Sequence, residues 1–196
     1  MKKSWIIIGI IIVVAFIIYR VFAGSYNNMV SQEEAVTSAW AQVENVYQRR
    51  ADLIPNLVAT VKGYAEHEQE TLTKVIEARA KATSITVDPT NLTPEKVAEF
   101  QAAQGELSSA LGRLLVSVER YPDLKANQNF LELQTQLEGT ENRIAVERQK
   151  FNDTVQAYNT YIRRFPQVML AGMFGFQQKG YFKAAEGAQQ APEVQF

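Results

Sequence analysis

From Trp5 to Tyr19 the chain is apolar without a single charge, WIIIGIIIVVAFIIY, and past Arg20 the apolar character resumes through Val21, Phe22 and Ala23. About nineteen such residues make roughly 28 Å of helix, the thickness of a bilayer's hydrocarbon core. Arg20 lies near one end, where a long side chain reaches the interface. Residues 1–24 therefore read as a transmembrane anchor. The alternative is a cleaved signal peptide, with Lys2 and Lys3 as its charged start and Val21 and Ala23 near a cut site. The length of the run and the arginine just before that cut argue against it.

Beyond the anchor the period changes to that of amphipathic helices, and no stretch alternates as a half-buried strand does. The expected fold class is all-α: a single N-terminal transmembrane helix, then an antiparallel up-and-down four-helix bundle over residues 25–165, then an apolar C-terminal tail. The first bundle helix, about Tyr26 to Arg49, places Val36, Trp40, Val43 and Tyr47 on one face and continues from the anchor, interrupted only by Gly24. The second, about Leu53 to Ala82, aligns Ile54, Leu57, Val61, Tyr64, Leu72, Val75 and Arg79. Pro55 suggests a break between them, because proline is tolerated in a first turn and disruptive in a helix interior. Asp52 could cap that turn. One long kinked helix is the competing reading.

The polar stretch SITVDPTNLTPE ends in Thr93, Pro94 and Glu95, a cap, a first-turn proline and an acid at the positive end of a helix dipole. The third helix follows, with Val97, Phe100, Gln104, Leu107, Leu111, Leu114, Val118 and Tyr121 alternating at spacings of three and four until Pro122. The fourth, about Ala126 to Arg164, carries Phe130, Leu137, Ile144, Phe151, Tyr158 and Phe165 at a strict interval of seven. Such repetition specifies closely packed, slightly supercoiled helices. Short connections favour an antiparallel bundle.

Charge orients this picture. Lys2 and Lys3 precede the apolar run, while Glu33 and Glu34 follow it, so the positive-inside rule places the amino terminus in the cytoplasm and the bundle outside. Lys and Arg total 20 against 21 for Asp and Glu; setting aside Lys2, Lys3 and Arg20 leaves 17 basic residues against the same 21 acidic ones. That balance offers no counterion release on DNA or RNA, so nucleic acid is not an expected partner. Cysteine is absent and histidine occurs once, as His67, which removes disulfides, thiolate chemistry and sulfur-built zinc sites.

Candidate chemistry is sparse. Glu66, His67 and Glu70 could face one ion across a helical turn, yet a bundle di-iron centre needs a Glu-x-x-His motif on each of two helices, and Tyr64 stands three residues before the one histidine. No Gly-x-Ser-x-Gly turn and no phosphate-gripping glycine loop is present, so neither a catalytic residue, a metal nor a cofactor is expected. Polar residues do adjoin the apolar stripe of the fourth helix: Glu141, Arg148, Asn152 and Asn159. Arg49, Arg50 and Asp52 at the first bend are their candidate partners in a structural polar layer that fixes helix register, with a ligand pocket as the alternative. After Pro166, residues 166–196 change character. Met169, Leu170, Met173, Phe174, Phe176, Tyr181 and Phe182 crowd between Gly172, Gly175 and Gly180, too apolar for a disordered tail. They either fold back over one end of the bundle or form a docking surface for a partner or for the bilayer interface.

Three stretches, AWAQVENVYQRRADLIPNLVATVKGYAEHE, YPDLKANQNFLELQTQLEGTENRIAVERQKFNDTVQAYN and FPQVMLAGMFGFQQKGYF, carry a resemblance to the LemA family of bacterial membrane proteins over essentially the whole chain. The resemblance implies a short N-terminal anchor in the bacterial inner membrane, an up-and-down four-helix bundle, and no agreed biochemical activity. It implies protein partners, with some relatives contributing to membrane remodelling as in magnetosome membranes and others associated with membrane zinc metalloproteases. It supplies no catalytic residue. The expected role is a membrane-anchored, non-enzymatic scaffold or adaptor that binds protein partners or forms homo-oligomers. A metal-dependent enzyme using His67 and a small-ligand sensor using the polar layer are the alternatives.

Overall fold

The computed structural model describes residues 2–65 and 68–184. Its elements are α1 (Lys2–Lys62), α2 (Gln69–Ser84), α3 (Pro94–Val118), the single turn α4 (Pro122–Lys125), α5 (Gln128–Arg163) and α6 (Gln167–Phe174), with no strand among the described residues. The molecule is all-helical.

The largest departure from the sequence reading is α1. It runs 61 residues without interruption, about 90 Å by the helical rise, straight through Pro55. The helix is unbroken at Arg49–Leu53, so one long helix is the correct alternative. The reason lies in the seam. Val36, Trp40, Val43, Tyr47, Ala51, Ile54, Leu57 and Val61 are all buried, and each follows the last by three or four residues across the proline. Pro55 itself is exposed. Its local cost, about 3 kcal/mol, is outweighed by a continuous buried stripe in which each large side chain is worth about 1.5–3 kcal/mol. The break falls instead after Lys62, where Gly63 ends the helix and the Tyr64 and Ala65 amides both bond the Val61 carbonyl. Tyr64 is consequently exposed, and Glu68 closes this end: its buried carboxylate accepts from Arg120 Nη2 at 2.6 Å and from the Tyr121 hydroxyl at 3.1 Å.

Other boundaries follow the local chemistry. Thr93 caps α3 with Pro94 in the first turn, and the Asn127 side chain caps α5 by accepting from the Phe130 amide at 3.1 Å. On α5 the seven-residue series is buried from Phe130 through Tyr158, whereas Phe165, past the helix end, is 81% exposed.

Contacts between helices proceed in register. Along α1 and α5, Trp40 meets Phe151 with ring centroids 5.4 Å apart, and Arg50 meets Glu141 at 2.6 Å. Along α2 and α3, Lys81 meets Glu106 at 2.7 Å and Ala82 accepts from Gln104. The interior has two apolar clusters. One is rich in aromatic residues: Trp40, Tyr47, Phe100, Phe151, Tyr158 and Phe182. The other is mainly aliphatic, built on Ile54, Leu57, Leu107, Leu111, Leu114 and Leu137. The segment 4–22, in contrast, is exposed on every side. It is long and apolar enough to cross a membrane.

Candidate functional site

Between the two apolar clusters lies a polar layer centred on Arg50, which is 1% exposed although it carries a charge. Its guanidinium donates from Nη1 to Ser108 Oγ at 2.7 Å and to Glu141 Oε1 at 2.6 Å, and from Nη2 to Gln104 Oε1 at 2.6 Å and the Gln104 carbonyl at 3.2 Å. Gln104 in turn donates to the Ala82 carbonyl at 3.2 Å. One side chain of α1 is thereby bonded to α3 and α5, and through Gln104 to α2. Such a buried charge persists only because several acceptors converge on it. The Gln104 that interrupts the apolar seam of α3 is the residue that receives Arg50.

The remaining polar residues divide differently from the sequence expectation. Arg49 and Asp52 are exposed on α1, and Asp52 accepts only from Gln48, one turn away, at 2.7 Å. None of Arg148, Asn152 and Asn159 bonds Arg50, although Arg148 acts on Tyr47, over whose ring Arg50 lies. They hold the extended segment after α6. Asn159 donates to the Lys179 carbonyl and accepts from the Lys179 amide, both at 2.9 Å. Asn152 treats Phe182 identically, and Gln101 on α3 does the same to Lys183, again at 2.9 Å. Arg148 adds a bond to the Lys183 carbonyl at 2.8 Å. Each amide satisfies one residue's donor and acceptor, as a neighbouring strand would. The segment is a strap held by side chains.

Two glycines make the strap possible. Gly175 caps α6 at a φ of 80°, a left-handed conformation that favours glycine. Gly180 lies so close to the start of α3 that a Cβ there would stand 2.6 Å from the Pro94 Cα, and its amide bonds the Leu92 carbonyl at 2.8 Å. Lys179 is buried beside it, paired with Glu33 at 2.7 Å and donating to the Thr90 carbonyl at 2.7 Å. The Phe182 ring then fills the aromatic cluster, stacked on Trp40 at 5.8 Å, while Arg148 lies 4.8 Å over its outer side.

The apolar C-terminal candidates separate into two groups. Leu170 and Phe182 are core residues and Phe176 packs against the core, whereas Met169, Met173, Phe174 and Tyr181 are exposed. Residues 185–196 of that segment lie outside the described residues. Glu66 and His67 also lie outside them. Glu70 is exposed and paired with Lys74, which holds its carboxyl below the ordinary range. Among the described residues, no group of three or more His, Asp or Glu side chains could hold a metal. A solvent-open cleft of about 290 Å³ beside Tyr47, Gln48, Ala82 and Phe100 touches the polar layer through Gln104, whose amide is already bonded on both sides.

Sequence reasoning missed Gln101, Ser108, Lys179, Gly180 and Glu33. Asn152 and Asn159, seven residues apart beside an apolar seam, did announce that something polar must meet them. Nothing in the periodicity identified that partner as the chain's own extended backbone.

The model of the LemA family matches residues 39–196. The chain belongs to the LemA family. The matched region contains most of the α1 seam, the Arg50 layer, α6 and the strap. This LemA-family chain is similar to the Protein LemA of Metamycoplasma hominis, 25% identical over 185 residues, or 94% of this chain and 80% of that protein. It is also similar to the Magnetosome protein MamQ of Magnetospirillum gryphiswaldense, 27% identical over 192 residues, covering 89% of this chain and 70% of the relative. The Magnetosome protein MamQ 2 of Paramagnetospirillum magneticum is 27% identical over 194 residues, with 90% and 71% covered. None of these names describes an enzyme.

Proposed function

We propose that this LemA-family chain is a membrane-anchored, non-enzymatic scaffold or adaptor of the bacterial inner membrane, engaging protein partners or further copies of itself. The observation that carries the reading is the continuity of α1. One unbroken helix is apolar and exposed on every side over residues 4–22, then buries a face of Met29, Val36, Trp40 and Val43 against the rest of the molecule. A continuous helix of this kind joins the span to the bundle with no intervening linker, which suits a platform. The opposed numbering of the α1–α5 and α2–α3 contacts supports an antiparallel up-and-down bundle of α1, α2, α3 and α5. The lysines at positions 2 and 3, before the span, support a cytoplasmic amino terminus and a bundle on the other side. A membrane metalloprotease is one partner that the family membership suggests.

The polar residues favour architecture over chemistry. Arg50, Asn152 and Asn159 direct their described bonds to the protein's own groups, which supports a structural role for them. Cross-linking in intact cells followed by mass spectrometry tests the proposal, with adducts to membrane proteins or to second copies expected. Absence of adducts overturns the scaffold reading. Recovery of the chain in the soluble fraction, trimmed after Ala23, overturns the anchor.

A further inference from the structure

Helix α6 is apolar on both sides. Leu170 and Ala171 are buried against the bundle, while Val168, Met169 and Met173 share the outer side and are exposed, Met169 by 66% and Met173 by 69%, as is Phe165 just before the helix. A helix without a polar face in water is half of an interface whose other half is missing.

Its position along α1 identifies that other half. Tyr26, three residues and about 4.5 Å past the last apolar residue of the anchor, meets Phe174 with ring centroids 5.0 Å apart and Phe176 at 5.8 Å. Ser25, two residues past Ala23, is only 6% exposed, so packing begins where the span ends. The α1–α5 register, with Trp40 at Phe151 and Arg50 at Glu141, brings the end of α5 and Phe165 to the level of Tyr26. Helix α6 therefore lies near the level of Tyr26, about 4.5 Å past the apolar segment, and a headgroup layer extends roughly 5–8 Å beyond the hydrocarbon. Exposed Arg163 and Arg164 at the end of α5 stand close to the level of Tyr26, and neither has an ion-pair partner among the described residues.

We infer that α6 is a second membrane contact: Phe165, Val168, Met169 and Met173 insert into the headgroup and acyl boundary of the leaflet that the bundle faces, and Arg163 and Arg164 bind lipid phosphates there. The contact fixes the bundle's tilt and rotation about α1, which a single span leaves free. Interfacial helices use this combination of an apolar face and flanking basic residues. Protein partners are left the other faces of the bundle.

The inference rests on the proposal that Trp5–Ala23 spans the bilayer, and the test separates the two. The chain contains no cysteine, so Met169→Cys, Met173→Cys, Val13→Cys and Val116→Cys each carry one environment-sensitive fluorophore on the full-length protein. The variants are reconstituted in vesicles of phosphatidylcholine with a quarter phosphatidylglycerol, containing lipids with a nitroxide either near the headgroup or deep in the acyl chain. Labels at 169 and 173 are expected to emit blue-shifted and to be quenched at least twofold more by the shallow nitroxide. The label at 13 should favour the deep one, and that at 116, exposed among distal residues, should respond to neither. If 169 and 173 behave like 116 while 13 is quenched deep in the bilayer, the α6 contact is wrong and the anchor stands. Blue-shifted emission without quenching means that a second copy or another protein covers α6, which also overturns the proposal. An unquenched label at 13 removes the span and this inference with it. Arg163→Gln with Arg164→Gln should reduce shallow quenching about twofold, and unchanged quenching takes the arginines out of the contact.

Discussion

The two halves of the bundle interior are closed in different ways. Away from the membrane, Ile54, Leu57, Leu107, Leu111, Leu114 and Leu137 come entirely from helices, and the helices seal that core by interdigitation. Towards the membrane, Trp40, Tyr47, Phe100, Phe151 and Tyr158 are large rings, and a ring from outside the long helices, Phe182, completes the cluster. A helix cannot enter a space one side chain wide, whereas an extended strap can. Its backbone must then find hydrogen bonds, and Asn152, Asn159 and Gln101 provide them. The aliphatic half is therefore expected to be self-sufficient, and the aromatic half to depend on a late segment of the chain.

The rings are the most sensitive part of the aromatic half. Trp40→Ala removes the side chain that touches Phe100, Phe151 and Phe182 at once, and is expected to cost about 4 kcal/mol and to free the strap for proteolysis at Lys179 and Lys183. Leu114→Ala in the aliphatic half should cost about 3 kcal/mol and leave the strap protected. Chemical denaturation of the full-length protein in detergent, with trypsin cleavage at each denaturant concentration, measures both. Equal strap cleavage in the two variants would mean that the halves are one cooperative core.

Arg50 separates the halves, and its removal should rank next. Arg50→Ala leaves Gln104, Ser108 and Glu141 without their common donor and is expected to destabilise by about 3 kcal/mol. Glu141→Gln should cost under about 1 kcal/mol, because its side chain is 46% exposed and an amide oxygen can still accept from the guanidinium. A loss as large from Glu141→Gln as from Arg50→Ala would show that the charge pair, and not the hydrogen-bond network, holds the layer.

Helical periodicity made the aliphatic half legible and left the aromatic half partly hidden. The α3 seam and the seven-residue series of α5 have one physical cause, a continuous buried stripe, and that stripe is visible residue by residue. Pro55 misled because a local breaker rule competes with a stripe extending beyond it on both sides, and the stripe has the larger energy. Among the C-terminal apolar residues, composition required order but could not separate Leu170 and Phe182, which are buried, from Met169 and Met173, which are not. That division is made by α6 crossing the bundle end and by Gly180 passing against Pro94, both tertiary facts with no repeat to reveal them. Asn152 and Asn159 were readable as amides in need of partners, and the partner was not readable because backbone is the same at every position.

The strap itself should respond on a smaller scale. Asn159→Ala deletes both bonds to Lys179 in a buried setting and is expected to cost about 2 kcal/mol, while Asn152→Ala, half-buried, should cost about 1 kcal/mol. The double variant should cost less than the sum, since one freed strap cannot be freed twice. Gly180→Ala tests the same element by sterics, forcing the strap away from Pro94 while the helical content by circular dichroism is retained. Loss of the helices in that variant would contradict the self-sufficiency of the aliphatic half.

Alkaline pH gives the mildest test, because it leaves every side chain in the sequence unchanged. Burial raises the phenol of Tyr158 well above its ordinary value, with the nearby Glu33 carboxylate adding to the shift, and burial likewise raises Tyr47 against the opposing charges of Arg148 and Arg50. In the unfolded chain these phenols ionise near pH 10. Below that value both states are protonated and stability is unaffected; above it the unfolded state loses protons that the folded state retains, so stability falls as pH rises. The slope approaches at most about 1.4 kcal/mol per pH unit for each phenol. Both rings belong to the aromatic cluster, so the strap should become susceptible to protease between pH 10 and 11, before the helices melt. Tyr158→Phe should flatten that limb while changing nothing at pH 7. Tyr121→Phe, at the distal end where the ring is only partly covered, should flatten it less. The opposite ranking would place the pH-sensitive weakness in the aliphatic half, and with it the dependence on a late-arriving segment.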